Sequence, residues 1–589
     1  MHVNSFVDQI NEFHPFSATA GIGFTELRRG FFDAPTRLDA KLEDMVRCSE
    51  TRLIFLTGNA GQGKTFLCRK LLERLDMGEE ESDREIVERC DGSFVNRELE
   101  GGRKLRIIKD LSEFTYENGA RSLADAYSDP SNCTLVCANE GRLRAVILQL
   151  IRDGRRELGK AIEENREAGY DFGVLSKSSE SDILIIDLNR QTLVSKENSF
   201  LENVIENFCC SQRWEPCRSC SASEFCPILR NRNYWAEEES EENKKRRKGF
   251  EYIISVLECS NVVITKRNLL EVVSWMFTGN LDCRKISEME KQDLQSSRYR
   301  SHQLIYENEW IDPGFRQLPI IRDFRRFDPG MHAHLERDEK LIATLLIKDP
   351  SLEKPFGSRS ETRSVGKKIR NVLRELRRED FFDGFDEEKY RSMKVGPLGL
   401  KYRNEFFGIL KEDGDPSLQR RTRDTLASGL EHFQGLWRKD SESDPQMCLV
   451  DPSFLIGRSS VSIISSQVIR GHLSLLSQDQ YWRKFGPQGS KFYGDVLDWN
   501  SRTVRILMGS TEQISGGMEL DLISFEFLCR LSSGLSTKGE YLATFNHVED
   551  ILMKWSVETS KGNEDGIITV CVEGQLRRLF LDESRIREL

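Results

Sequence analysis

The chain has no apolar run approaching the length needed to cross a bilayer, which argues against a membrane-embedded protein. Its opening, Met1-His-Val-Asn-Ser-Phe, offers neither the basic stretch nor the apolar core of a secretory signal, so a cytoplasmic setting is expected. A surplus of positive charge is missing too. Lys and Arg number 86 against 96 Asp and Glu, a formal net charge of −10. The chain as a whole is therefore no autonomous polyanion binder, and any nucleic-acid contact must come from local basic patches or from a partner. Internal repeats and long low-complexity tracts are absent. Cysteine is plentiful, but an even-numbered framework is not. Fifteen is an odd count, and Cys68, Cys133, Cys137, Cys259 and Cys529 lie in apolar stretches, which suits reduced, buried thiols better than disulfides.

What is present begins with size. At 589 residues, 38% hydrophobic and 31% charged, the chain is long enough for about three or four domains of soluble type. Its most informative stretch is Leu53-Ile-Phe-Leu-Thr57 running into Gly58-Asn59-Ala60-Gly61-Gln62-Gly63-Lys64-Thr65-Phe66. The pattern reads as a buried strand, a glycine-rich turn and a helix with Leu67, Leu71, Leu72 and Leu75 on one face. In that context G-x-x-x-x-G-K-T is a phosphate-binding loop. Gly58, Gly61 and Gly63 let the backbone bend its N–H groups onto phosphates, and the helix N-terminus favours the anion. Lys64 would reach the β- and γ-phosphates of ATP, and Thr65 would ligate Mg²⁺. Further strands are expected over Leu105–Lys109, from Cys133 and over Ile183–Ile186, with an amphipathic patch at Ala120–Tyr127 and a helix over Arg142–Arg152 between them. That alternation predicts a mainly parallel α/β sheet.

A phosphate-binding ATPase needs an acid on a neighbouring strand to hold the metal's water shell. Asp110 ends one apolar run, and Asn139 ends the next, 29 positions later. That order is similar to AAA+ ATPases, in which a polar sensor residue sits on the strand after the metal-binding acid. Asp187 follows a purer apolar run, Ile183–Ile186, but comes after the Asn strand, so Asp110 is preferred for Mg²⁺. The adjacent Asp-Glu pair of fast ATPases is missing, which leaves Glu113 or Glu140 to supply the catalytic carboxylate and puts the hydrolysis rate in question. Thr265 is a natural N-cap, and the helix it opens carries Arg267, placed where AAA+ lids return an arginine to the γ-phosphate. If copies of the chain assemble, a finger in trans would come from Arg152, Arg155 or Arg156, which equally fit a solvated helix end.

Cys210, Cys217, Cys220 and Cys226 give C-x₆-C-x₂-C-x₅-C, ligand-like spacing for tetrahedral Zn²⁺. An iron–sulfur cluster remains an alternative, since a proline follows the last cysteine. Either group would fold a polar loop too small to build its own core. Two basic features stand out downstream. Lys244-Lys-Arg-Arg-Lys248 reads as a solvated run or a DNA contact. Val365–Arg378 reads as a basic amphipathic helix, with Lys367, Lys368, Arg370, Arg374, Arg377 and Arg378 available for phosphates or simply for water. Nuclease chemistry is not legible. Asp338-Glu-Lys340 and Glu387-Glu-Lys389 lie on no plausible strand, and His332-Ala-His334 lacks matching ligands.

Taken together, Gly58–Thr65, Lys109-Asp-Leu-Ser-Glu113, Ala138-Asn-Glu-Gly-Arg-Leu-Arg144, Ile186-Asp-Leu-Asn-Arg190, the Trp214…Cys217-x₂-Cys220…Cys226-Pro stretch and Ile264-Thr-Lys-Arg-Asn-Leu-Leu270 resemble the DptF (DndF) proteins. These are ATPase subunits of bacterial restriction systems that depend on DNA phosphorothioation. The resemblance covers roughly residues 45–280. It implies partner subunits, one of them a DNA-translocating ATPase, and DNA reached through that complex. The expected architecture is an N-terminal helical segment (1–50), a P-loop, AAA+-like α/β core (51–204) and a Cys-rich metal loop (205–235). A helical lid (236–345), a mostly helical region (346–445) and a C-terminal α+β domain (446–589) follow.

Overall fold

The computed structural model describes residues 3–14, 35–75, 95–99, 102–178, 181–195, 199–236, 240–306, 318–348, 359–411, 415–438, 445–451, 461–509, 515–534, 542–559, 567–582 and 585–588. The acidic stretch 78–88 lies outside them. The first strands are β1 (Leu53–Thr57), β2 (Val95–Glu98), β3 (Lys104–Ile108), β4 (Asn132–Cys137), β5 (Val174–Ser176) and β6 (Ile183–Asp187). Five of them form one sheet in the order β2–β3–β4–β1–β6. Pairings β3–β4, β4–β1 and β1–β6 are parallel, and only the edge strand β2 runs antiparallel.

Both faces of this sheet are covered, which is why its strands read as continuous apolar runs. Side chains alternate across the pleat. Ile54 and Leu56 face a cluster with Leu67 and Leu71 of helix Lys64–Arg74 and Leu38 and Leu42 of helix Arg37–Arg47. Leu53 and Phe55 face the other way, onto Leu123, Val146, Ile147 and Ile162. These belong to helices Tyr116–Ser128, Glu140–Arg152 and Arg156–Phe172. The last of them lies in a segment that reads as polar. Its buried stripe of Leu158, Ile162 and Ala168 is thin among charged residues, and Gly173 closes it at φ +68°.

The register brings the carboxyl ends of four strands to one edge, with Thr57 opposite Asp187 and Ile108 opposite Val136. Gly58, Asp110, Asn139 and Asp187 follow or end those strands. β4 separates β1 from β3.

The rest of the chain is largely one apolar core, uniting Phe6, Val204, Trp235, Trp275, Phe324, Phe381, Leu430 and Trp555. Helix Ser5–Asn11 packs against helix Lys266–Thr278, where the Ser274 hydroxyl donates to the Ile10 carbonyl at 2.6 Å. The later strands are β7 (Gln446–Val450), β8 (Val461–Ile469), β9 (Leu473–Ser477), β10 (Lys491–Phe492), β11 (Val504–Met508), β12 (Ser515–Leu520), β13 (Ile567–Val572), β14 (Gln575–Asp582) and β15 (Arg585–Glu588). They form antiparallel sheets β12–β11–β9 and β15–β14–β13–β8–β7, while β10 pairs with β5. The C-terminal region therefore reaches back onto the first sheet, and Tyr493, Val496 and Leu497 join the core behind β1. No described helix is long and apolar enough to cross a membrane.

The basic helix forms within Arg359–Asp383, but two of its arginines face inward. Arg378 is buried in a bidentate pair with Asp328 (2.6 and 2.8 Å), and Arg377 pairs with Asp338 at 2.7 Å. The side chains of Lys367 and Lys368 lie outside the described residues. The charge run 244–248 begins helix Glu241–Cys259. There Arg246 pairs with Asp383 and covers the Tyr234 ring, and Arg247 donates to the Trp235 carbonyl. The two acid-x-Lys stretches are helical, and their acids pair with arginines: Asp338 with Arg377, Glu387 with Arg391.

Candidate functional site

The turn after β1 requires its glycines. Gly58, Gly61 and Gly63 have φ of +130°, +90° and +86°, where side chains other than glycine are strained. At Gly61 a Cβ would also stand 2.8 Å from Cβ of Arg267. That contact is part of a docking. The Arg267 N–H donates to the Gly61 carbonyl at 3.1 Å, so the start of helix Lys266–Thr278 sits directly on the turn. Thr265 is its N-cap, accepting from the Asn268 N–H in a reciprocal capping box, as its sequence predicts.

The turn is held from the other side by Asn189. Its Oδ1 accepts from the Asn59 N–H at 2.9 Å and from the buried Gln62 amide at 3.3 Å. Asn189 lies in the short turn after β6, which Asp187 caps by accepting from the Asn189 N–H at 3.0 Å. Arg502, from the C-terminal region, donates to the Asn189 and Gln191 carbonyls at 3.1 and 2.7 Å.

Lys64 opens helix Lys64–Arg74 with Thr65 and Phe66 beside it. Its amine folds over the turn and donates to the carbonyls of Gly58 (2.8 Å) and Asn59 (3.0 Å). Burial lowers its pKa. Cys137, Asp110 and Asp187 work against that shift, and Arg267 reinforces it. Two carboxylates and two cations therefore share one electrostatic neighbourhood at the sheet edge.

The two candidate acids differ in their surroundings. Asp110 caps the turn Leu111–Glu113 through Oδ1, which accepts from the N–H and hydroxyl of Ser112 at 2.8 and 2.6 Å. Asp187 is pushed up in pKa chiefly by burial, with Arg190 at 3.7 Å opposing the shift. Asn139 caps helix Glu140–Arg152 by accepting from the Arg142 N–H at 2.8 Å. Glu113 is exposed at the end of its turn. Glu140 is tied by Oε1 to Arg144 (3.1 Å) and Arg166 (3.2 Å).

The cysteine loop folds beside helix Ser5–Asn11. Cys217, Cys220 and Cys226 line a cavity of ≈ 20 Å³ together with Trp214, Ile228 and a further thiol, Cys283. Cys210 ends helix Phe200–Cys209 and is not among the lining residues. Among the described residues no group of three or more Cys, His, Asp or Glu side chains is placed so that it could hold a metal ion as it stands.

Residue types and spacing pointed to the glycine turn, Lys64, the strand-end acids and Thr265. Asn189 was missed as a site residue, although it follows an apolar run and an aspartate, and Cys283 was missed because nothing in its own stretch resembles a ligand motif. In comparisons with known proteins the chain matches no family model, no curated protein and no solved structure.

Proposed function

We propose that the chain binds ATP with Mg²⁺ at the mouth of the parallel sheet through a P-loop of AAA+-like type. Lys64 and the turn's N–H groups would take the phosphates, and Thr65 and Asp110 would hold the metal's shell. Arg267 would report the γ-phosphate to the lid. The observation that carries this reading is the strand order. One parallel strand, ending at Asn139, stands between the glycine-turn strand and the Asp110 strand, so acid and polar sensor flank the lysine in turn. Loss of the γ-phosphate would release the Arg267 side chain, while the bond of the Arg267 N–H to the Gly61 carbonyl keeps the helix start on the turn.

A second reading is a nucleotide-gated scaffold with slow turnover. The absence of an adjacent Asp-Glu pair favours it, and Glu140 is tied to Arg144 and Arg166. On either reading, the resemblance to DptF proteins supports service in a restriction complex acting on DNA that lacks phosphorothioate. A translocating ATPase subunit and DNA would be the partners, with self-assembly of the chain a further feature to measure.

The test compares ATP binding and steady-state hydrolysis for wild type, Lys64→Ala, Asp110→Asn and Glu113→Gln, with and without DNA. Lys64→Ala is expected to weaken ATP binding roughly 10- to 100-fold, the loss of a charge-assisted contact worth ~1.5–3 kcal/mol. Asp110→Asn should lose Mg²⁺ dependence, and Glu113→Gln should bind ATP but not turn it over. Equal ATP affinity in wild type and Lys64→Ala would end the nucleotide reading. Binding without turnover above Lys64→Ala would leave the scaffold.

A further inference from the structure

Four thiols from two distant parts of the chain meet around one small cavity: Cys217, Cys220 and Cys226 of the cysteine loop, and Cys283 at the start of helix Cys283–Glu288. All are reduced and half-buried, with no disulfide among them. N–H donors converge on the sulfurs. The Asn4 side-chain amide donates to Cys217 Sγ at 3.3 Å, and the Asn4 backbone N–H donates to Cys283 Sγ at 3.5 Å. The backbone N–H groups of Leu229 and Ile228 point at Cys226. Neutral thiols are weak acceptors and give little reason to gather such donors. Metal-bound thiolates carry charge and are held by outer N–H groups of this kind.

We propose that Cys217, Cys220, Cys226 and Cys283 form a tetrahedral Zn²⁺ site, with Asn4 as the outer partner of two of its sulfurs. Cys283 takes the place that spacing alone assigns to Cys210. Four thiolates around one ion are the ligand set of structural zinc. Binding releases the thiol protons as the four sulfurs draw in on the ion.

The position gives the site a role. Asn4 is the N-cap of helix Ser5–Asn11, which is fastened to helix Lys266–Thr278 by the bonds of Ser274 to Ile10 and of Thr278 to Asn11. The opposite end of that second helix is the one docked on Gly61. Zinc would thus clamp the loop, the N-terminal helix and the base of the Arg267 helix into one block.

Metal analysis of the purified full chain tests this, with Cys210→Ser, Cys283→Ser and Cys283→His compared. About one zinc per chain is expected in wild type and Cys210→Ser, loss in Cys283→Ser, and recovery in Cys283→His, which can still ligate. If Cys283→Ser does not fold, Co²⁺-substituted wild type and Cys210→Ser decide: the same four-thiolate charge-transfer spectrum is expected in both. Zinc missing from wild type, retained in folded Cys283→Ser, or lost from Cys210→Ser would overturn the proposal. So would iron with a visible chromophore, or a cobalt spectrum altered by Cys210→Ser. None of these outcomes depends on ATP binding.

Discussion

Asn189 joins the turn after β6 to the glycine turn after β1, and a single oxygen does so. Oδ1 serves both the Asn59 N–H and the buried Gln62 amide. Asn189→Ala would leave the part-buried Gln62 amide without this acceptor and turn the exposed Asn59 N–H to water, at a cost of about 1 kcal/mol. The expected outcome is a lower urea midpoint and weaker ATP binding. Asn189→Asp keeps the accepting oxygen and should restore the midpoint, while its added charge opposes phosphate. A second residue makes stability depend on acid. His302 is fully buried beside the Tyr234 and Phe382 rings, and neither ring nitrogen has a hydrogen-bond partner among the described residues. Burial, with help from Arg300, Arg378, Arg246 and Arg230, pulls its pKa from 6.5 down to about 3. The unfolded chain then binds a proton that the folded chain refuses. The contribution is whole above the unfolded value and is lost as pH falls from about 6.5 toward about 3, amounting to ~2 kcal/mol by pH 5. Urea unfolding at pH 7 and pH 5 should show that loss in wild type and a smaller one in His302→Leu.

At the scale of elements, the helix Arg359–Asp383 shows why a basic stripe is not a binding face by composition alone. Arg378 and Arg377 are consumed by Asp328 and Asp338, acids supplied by other segments. Arg378→Ala would strand Asp328, which is also buried, and is expected to destabilise the protein by about 3–5 kcal/mol. A urea melt measures it. Salt-dependent DNA binding, if present, should change little in Arg377→Ala, because that side chain is already paired. The helix Lys266–Thr278 makes the opposite point. Its capping residues were legible because a cap is a local matter of four residues, but its docking on Gly61 was not. Helix Arg156–Phe172 was hidden for a related reason, since a narrow apolar stripe suffices where one face meets a sheet already covered on that side.

For the whole molecule, the C-terminal region is not an appendage of the sheet but part of its support. Tyr493 donates its hydroxyl to the Ile185 carbonyl at 3.3 Å, Asp498 accepts from the Arg37 N–H at 3.2 Å, and Arg502 braces the Asn189 turn. A chain ended at residue 445 would expose the apolar surface that Tyr493, Val496 and Leu497 cover. It is expected to unfold at a lower temperature than the full chain and, on the proposed nucleotide-binding reading, to bind ATP less tightly, checked by thermal melts and titration. If the truncated chain matched the full one in both, the bracing would be incidental.

Strands β1, β3, β4 and β6, the glycine turn and the Thr265 cap were determined by the sequence alone, because an apolar run, a positive φ and an N-cap are set by neighbours along the chain. The helix that Lys64 opens was legible for that reason, and so were three of the four thiols that share a cavity. The order of the strands was not, nor was the position of Asp110 and Asp187 on either side of the lysine's strand. Asn189 under the turn, Arg378 against Asp328, and Cys283 beside Cys217 were decided only by the tertiary structure. Each of these pairs residues far apart in the chain, and what brings them together is the burial of whole faces, which no local spacing encodes.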